Sequence, residues 1–166
     1  MTNPKLKNYS TQVSVSKSIM EIEKILASFG AEAIIKEYFP DGKVNKLSFK
    51  LGEKIFKLPA NINGVKTVMY GDKKRYHGRD SMKHREDQAH RVAWRIIKDW
   101  IYAQLSLIIS GQAYPQEIFL PYMYDRKTGK TLFELMEAKN FDLPQLGYND
   151  VDLKSTDEPS TKEAKL

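Results

Sequence analysis

The chain has no cysteine. That excludes disulfides and thiolate metal sites, and it makes a reducing compartment the simpler setting. It also lacks a long apolar run. The longest stretch, residues 96–109, is broken by Lys98, Asp99, Gln104 and Ser106. Such a run is too short and too polar to cross a bilayer. Residues 1–18 are polar, carry Lys5 and Lys7, and contain no apolar h-region, so they do not read as a signal peptide. The expectation is a cytoplasmic protein with no membrane partner.

Catalytic signatures are missing as well. There is no Gly-x-Ser-x-Gly elbow, no His-Glu-x-x-His and no dinucleotide fingerprint. Gly129-Lys130-Thr131 resembles the end of a phosphate loop, but Tyr124 stands where the first glycine belongs, and a turn followed by a helix cap explains the triplet. Carboxylates such as Glu32, Glu37, Asp41 and Glu53 lie scattered at strand ends and turns, where solvation accounts for them. His77, Asp80, His84 and Asp87 would share a face of a continuous helix, as a two-histidine, one-carboxylate metal set does. Gly78 argues against helix there, and positive neighbours oppose a cation. No catalytic residue, metal or cofactor is expected, and a binding protein is favoured over an enzyme.

Apolar residues make up 41% of the 166 residues, enough to bury the core of one domain. No internal repeat is visible. Residues 9–15 alternate, with Tyr9, Thr11, Val13 and Val15 on one face, and predict a first strand. Ser18-x-x-Glu21 has the pattern of a capping box and predicts a helix start at Ser18. Ile19, Ile22, Leu26 and Phe29 continue it at helical spacing, and Gly30 suits its C-terminal stop. Residues 33–39, 47–51 and 55–58, separated by Pro40-Asp41-Gly42 and Gly52-Glu53, predict a three-stranded antiparallel meander ended by Pro59. Residues 60–80 are a glycine-punctuated connector with a helical stretch near 65–70. One long helix follows over 81–110, closed by Gly111.

That helix is apolar around more than half its circumference. Ala89, Val92, Ala93, Ile96, Trp100, Ala103 and Leu107 form one face, on which Trp100 is expected in the core. Trp94, Ile97, Ile101, Leu105 and Ile108 form a second beside it, a surplus that predicts a second partner element. Beyond Gly111 come a helical turn at 115–120, a brief strand at 121–124, a turn at 125–130, and a short helix opened by Thr131-x-x-Glu134. The expected fold is α+β: a small, mainly antiparallel sheet in the order β-α-β-β-β, packed on the first and the long helix, with a short final helix. The expected domain spans 9–138. Residues 139–166 read as a polar, disordered tail in which Phe141, Leu143, Leu146 and Tyr148 either fold back or dock on a partner.

The net charge of +6 is confined to one region. Residues 66–98 hold ten Lys/Arg and four Asp/Glu, a surplus of six, while the remaining residues hold seventeen of each. His84, Gln88, Arg91, Arg95 and Lys98 recur at helical spacing on one stripe. Ahead of them lie Lys73, Lys74, Arg75, Tyr76 and Arg79, with Lys83 and Arg85 at the start of the helix. A basic loop with an interleaved tyrosine, followed by a basic stripe, can track a phosphate backbone. These eleven residues, Lys73 to Arg79 as named and Lys83, Arg85, Gln88, Arg91, Arg95 and Lys98, are the candidate nucleic-acid contacts. The same stripe also reads as a solvated helix face, or as a partner for the acidic tail. The competing expectation is protein docking, or a homodimer, through the second apolar face and the tail.

Val13-Ser14-Val15-Ser16-Lys17-Ser18-Ile19, Phe29-Gly30-Ala31, Leu58-Pro59, Gln88-Ala89 with Arg91 and Ala93-Trp94-Arg95, and Phe119-Leu120-Pro121-Tyr122 together resemble a family of small, functionally uncharacterised phage and prophage proteins. The resemblance covers residues 10–136. It implies a viral or mobile-element origin, and hence a host cytoplasm, but no biochemical role. Its motifs are mostly fold residues; Gln88, Arg91 and Arg95 are the candidates for a shared surface.

Overall fold

The structure, a computed structural model, describes residues 6–71 and 79–141. The expected tail beyond Phe141 lies outside the described residues. The fold is α+β. Helix α1 (Val15–Ser28) is followed by strands β1 (Ala33–Tyr38), β2 (Val44–Leu51) and β3 (Lys54–Lys57), then α2 (Ile62–Tyr70) and the long α3 (Arg79–Ile109). Helix α4 (Pro115–Phe119), a single turn of 3₁₀ helix, the short pair β4 (Tyr124–Asp125) and β5 (Lys130–Thr131), and α5 (Leu132–Glu137) complete it.

The expected first strand at 9–15 does not form. Residues 7–10 are a turn, with Asn8 at φ 63°, and the helix begins at Val15. Alternation alone is not enough for a strand: the carbonyls of Tyr9 and Thr11 are taken by a side chain from α3, not by a ladder. The cap also falls one turn earlier than predicted. Ser14, not Ser18, accepts from the Lys17 N–H at 3.2 Å. This leaves Ser18 buried inside the helix, its hydroxyl without a hydrogen-bond partner among the described residues. The C-terminal stop matches expectation. Gly30 takes φ 101°, its N–H reaches the Ala27 carbonyl and the Ala31 N–H the Leu26 carbonyl, a Schellman closure.

The meander forms as read, in the order β1-β2-β3 with both pairs antiparallel. Its inner face carries Ile34, Leu47, Phe49 and Phe56. These pack against Ile19, Ile22 and Leu26 of α1, against Trp94, Ile97, Ile101 and Leu105 of α3, and against Phe119 of α4. The outer face carries the pairs Lys46–Glu37 and Lys50–Glu32. The edge of β3 meets Met123 through an isolated bridge.

The orientation of α3 corrects the sequence reading. Its second apolar face points inward: Trp94 and Ile101 are fully buried and Leu105 nearly so. The face predicted to be central is buried only near its start, at Ala89, Val92 and Ala93, and opens to solvent at Ala103 and Leu107. Trp100 is half-buried, edge-on to Phe119 and Tyr122. Periodicity identified two adjacent apolar stripes. Which of them meets the sheet was decided by α1 and α4, which close over the other side of the same core.

A candidate anion site beside the long helix

The N-terminal half of α3 is where the sequence placed its candidate contacts, and the structure separates them into three groups. Lys73, Lys74, Arg75, Tyr76 and the side chain of Arg79 lie outside the described residues, as do His77 and the side chain of Asp80. Lys83 is exposed, and Arg85 lies over the Tyr70 ring of α2 with 5.1 Å to its centroid. The remaining stripe packs against α1 and the segment before it.

Within that stripe the cations have partners inside the molecule. Arg95 donates to Glu21 of α1 at 2.7 Å, and Lys98 reaches the same carboxylate at 3.9 Å and Asp99 at 3.4 Å. Gln88 is buried, and its amide donates to the carbonyls of Tyr9 and Thr11 at 3.1 and 3.0 Å. Its side-chain oxygen accepts from Nε and Nη2 of Arg91. Gln88 is therefore a positioning residue. It pins the chain ahead of α1 and fixes the Arg91 guanidinium. Among the described residues Arg91 has no carboxylate within ion-pair distance, so its charge stays available.

Arg91 borders a cleft of about 310 Å³ at the start of α1, with Ser14, Ser16, Lys43, Asp87 and His90 also on its walls. Three segments distant in sequence build it: the cap of α1, the residue that enters β2, and one turn of α3. Lys43 bonds Asp87 at 2.7 Å and Asp41 at 3.3 Å. Asp87 holds Lys43 above the usual ammonium range, and Lys43 in turn holds Asp87 below the usual carboxylate range. Both therefore stay charged at neutral pH. Asp87 serves this ion pair, while His77 and the side chain of Asp80, which the metal set weighed from sequence also needs, lie outside the described residues.

His90 was not singled out by the sequence, although its setting between Ala89 and Val92-Ala93 marks it as an interior residue. It is 4% exposed, and its ring meets the edge of Phe39. Its Nδ1 has no hydrogen-bond partner among the described residues. Burial, and then the Lys43 ammonium, push its pKa below the ordinary 6.5, against weaker opposite pulls from Glu86, Asp41 and Asp87. His90 is thus neutral in the fold at neutral pH.

A stability consequence follows from linkage. The unfolded chain protonates His90 more readily than the folded one, so the stability that its neutral form contributes is complete above about pH 6.5 and is lost as pH falls toward the lower folded value. The lowered carboxylates, Asp87 among them, act in a separate and more acidic window. Melting temperature should therefore begin to fall below about pH 6.5. In His90→Gln that first decline should vanish, leaving only the acidic limb. An unchanged profile in the variant would rule His90 out as its source.

No family model, curated protein or solved structure matches this chain.

Proposed function

We propose that this chain is a phage-type accessory protein that binds nucleic acid electrostatically, through the start of α3 and the basic segment before it. The observation that carries the reading is charge localisation: the whole surplus of six lies in residues 66–98. The internal pairs narrow the surface. Arg95 and Lys98 are held by Glu21 and Asp99, which leaves Lys83, Arg91 and the 73–79 sequence as the candidate contacts. No base-reading motif accompanies them, so recognition would be tolerant of sequence.

Docking through the second apolar face of α3 has no comparable support, because Trp94, Ile101 and Leu105 are interior.

Fluorescence anisotropy with single- and double-stranded oligonucleotides at low and moderate salt tests the proposal. Affinity should fall steeply with salt, each neutralised phosphate adding about 0.7–0.9 to the log–log slope. Changing Lys83 and Arg91 together to glutamine should flatten that slope by up to about 2 units. Arg95→Gln should leave the slope as it is. Absence of binding at low salt would overturn the reading.

A further inference from the structure

A groove of about 480 Å³ lies where the start of β3 faces the β4–β5 hairpin and α5, with no residue of α3 on its walls. That volume falls in the range of built binding sites, roughly 300–1,000 Å³. Ile55, Met123, Leu132 and Leu135 give it apolar walls, and each is only partly buried.

Its charged residues are unevenly committed. Lys50 is held by Glu32 at 2.6 Å. Both carboxylate oxygens of Asp125 accept bonds inside their own turn, from the Lys127 N–H and the Thr128 hydroxyl, each at 2.9 Å. Glu53 is the remaining acid. Lys54 and Arg126 have no carboxylate within ion-pair distance among the described residues. The groove therefore suits a segment that brings apolar side chains and negative charge together.

The course of the chain brings such a segment to it. After α5 the backbone reverses. Asn140 and Phe141 take φ of 51° and 54°, a conformation that a bulky residue rarely adopts. The Phe141 N–H donates to the Met136 carbonyl at 2.9 Å, and the Phe141 ring rests on Phe133 with 5.6 Å between centroids. The described residues thus end beside the first turn of α5, the helix that supplies Leu132 and Leu135 to the groove.

Residues 142–152 come next in the sequence. They hold Asp142, Asp150 and Asp152 and no Lys or Arg. Leu143 precedes Pro144, which biases it to extended backbone. In an extended repeat of three, Leu143 and Leu146 fall on one side, about 9 Å apart. Extended, the eleven residues reach up to about 36 Å. Helix α5 is only about 9 Å long, so chain length does not limit the path.

We propose that residues 142–152 occupy this groove within the same chain, with Leu143 and Leu146 against Ile55, Leu132 and Leu135, and Asp150 and Asp152 toward Lys54 and Arg126. The proposal does not rest on the nucleic-acid reading.

The absence of cysteine makes the test direct, because Tyr148→Cys in the full chain carries a single nitroxide. Methyl resonances of Ile55, Leu132 and Leu135 should lose most of their intensity beside the label. Those of Val15 and Val92, which flank Arg91, should keep theirs. In an equal mixture of isotope-labelled unmodified chain and unlabelled nitroxide chain, the groove signals should stay at full intensity. Leu143→Ser with Leu146→Ser in the tagged chain should restore the groove signals while Val92 keeps its native shift. Lys54→Gln with Arg126→Gln should restore them in part.

Full groove intensity beside the label overturns the proposal. So does a loss centred on Val15 and Val92, which would put the acids on the α3 surface. Loss in the mixed sample makes a second copy the occupant and overturns the assignment within one chain. A loss that persists at full strength in either double variant also overturns it.

Discussion

Replacing Trp94 by alanine should destabilise the fold by about 3–5 kcal/mol, the range for truncating a large buried aromatic. The indole is fully buried between the sheet and α1, and its N–H donates to the Val44 carbonyl at 3.3 Å. The substitution opens a cavity and removes that donor together. Trp100→Ala should cost less, because its ring is only partly buried, at the edge of the core, where it rests on Phe119 and Tyr122. Chemical denaturation of both variants checks the order. A larger loss at Trp100 would mean that the face of α3 turned to the sheet is the other one.

Gln88→Leu should cost about 2–4 kcal/mol, although it keeps the side chain's approximate size. Two kinds of bond disappear: two donated to backbone carbonyls and two accepted from a charged guanidinium, the latter of the stronger class. The damage should be local. Hydrogen exchange should accelerate across residues 9–14 while the β1–β2 ladder keeps its protection. Uniform loss of protection in every element would show that Gln88 supports the whole core and not this one attachment.

Much of the fold was legible because its instructions are local. Gly30 and Gly111 stop helices at positive φ, Asp41-Gly42 and Gly52 turn the meander, and Thr131 with Glu134 caps α5 reciprocally. Each of these needs only a few consecutive residues. The first segment misled because a strand needs a partner, and among the described residues no strand pairs with residues 9–15. Ser18 misled because Ser14 offers the same cap one turn earlier, and starting there adds a turn of helix. The apolar surplus of α3 was visible, but its direction depends on α1 and α4, which no local pattern encodes.

The candidate site was legible only in part. Arg91 and Gln88 stood out by spacing, as a stripe, but their roles are unlike: one is buried and positions the other. Lys43, Ser16 and His90 gave no joint signal. They belong to three segments that meet only once the helices are packed, and a side chain such as Lys43 in a turn looks like any other exposed lysine.

The attachment of the leading segment has a consequence for the order of folding. The bonds from Gln88 to Tyr9 and Thr11 join residues 79 and 77 positions apart. Closing so long a loop costs more entropy than forming the meander or a helix, whose contacts lie a few residues apart. The segment is synthesised before α3, and these bonds cannot form until α3 exists. Its placement, and with it the wall of the cleft that holds Arg91, therefore waits on α3.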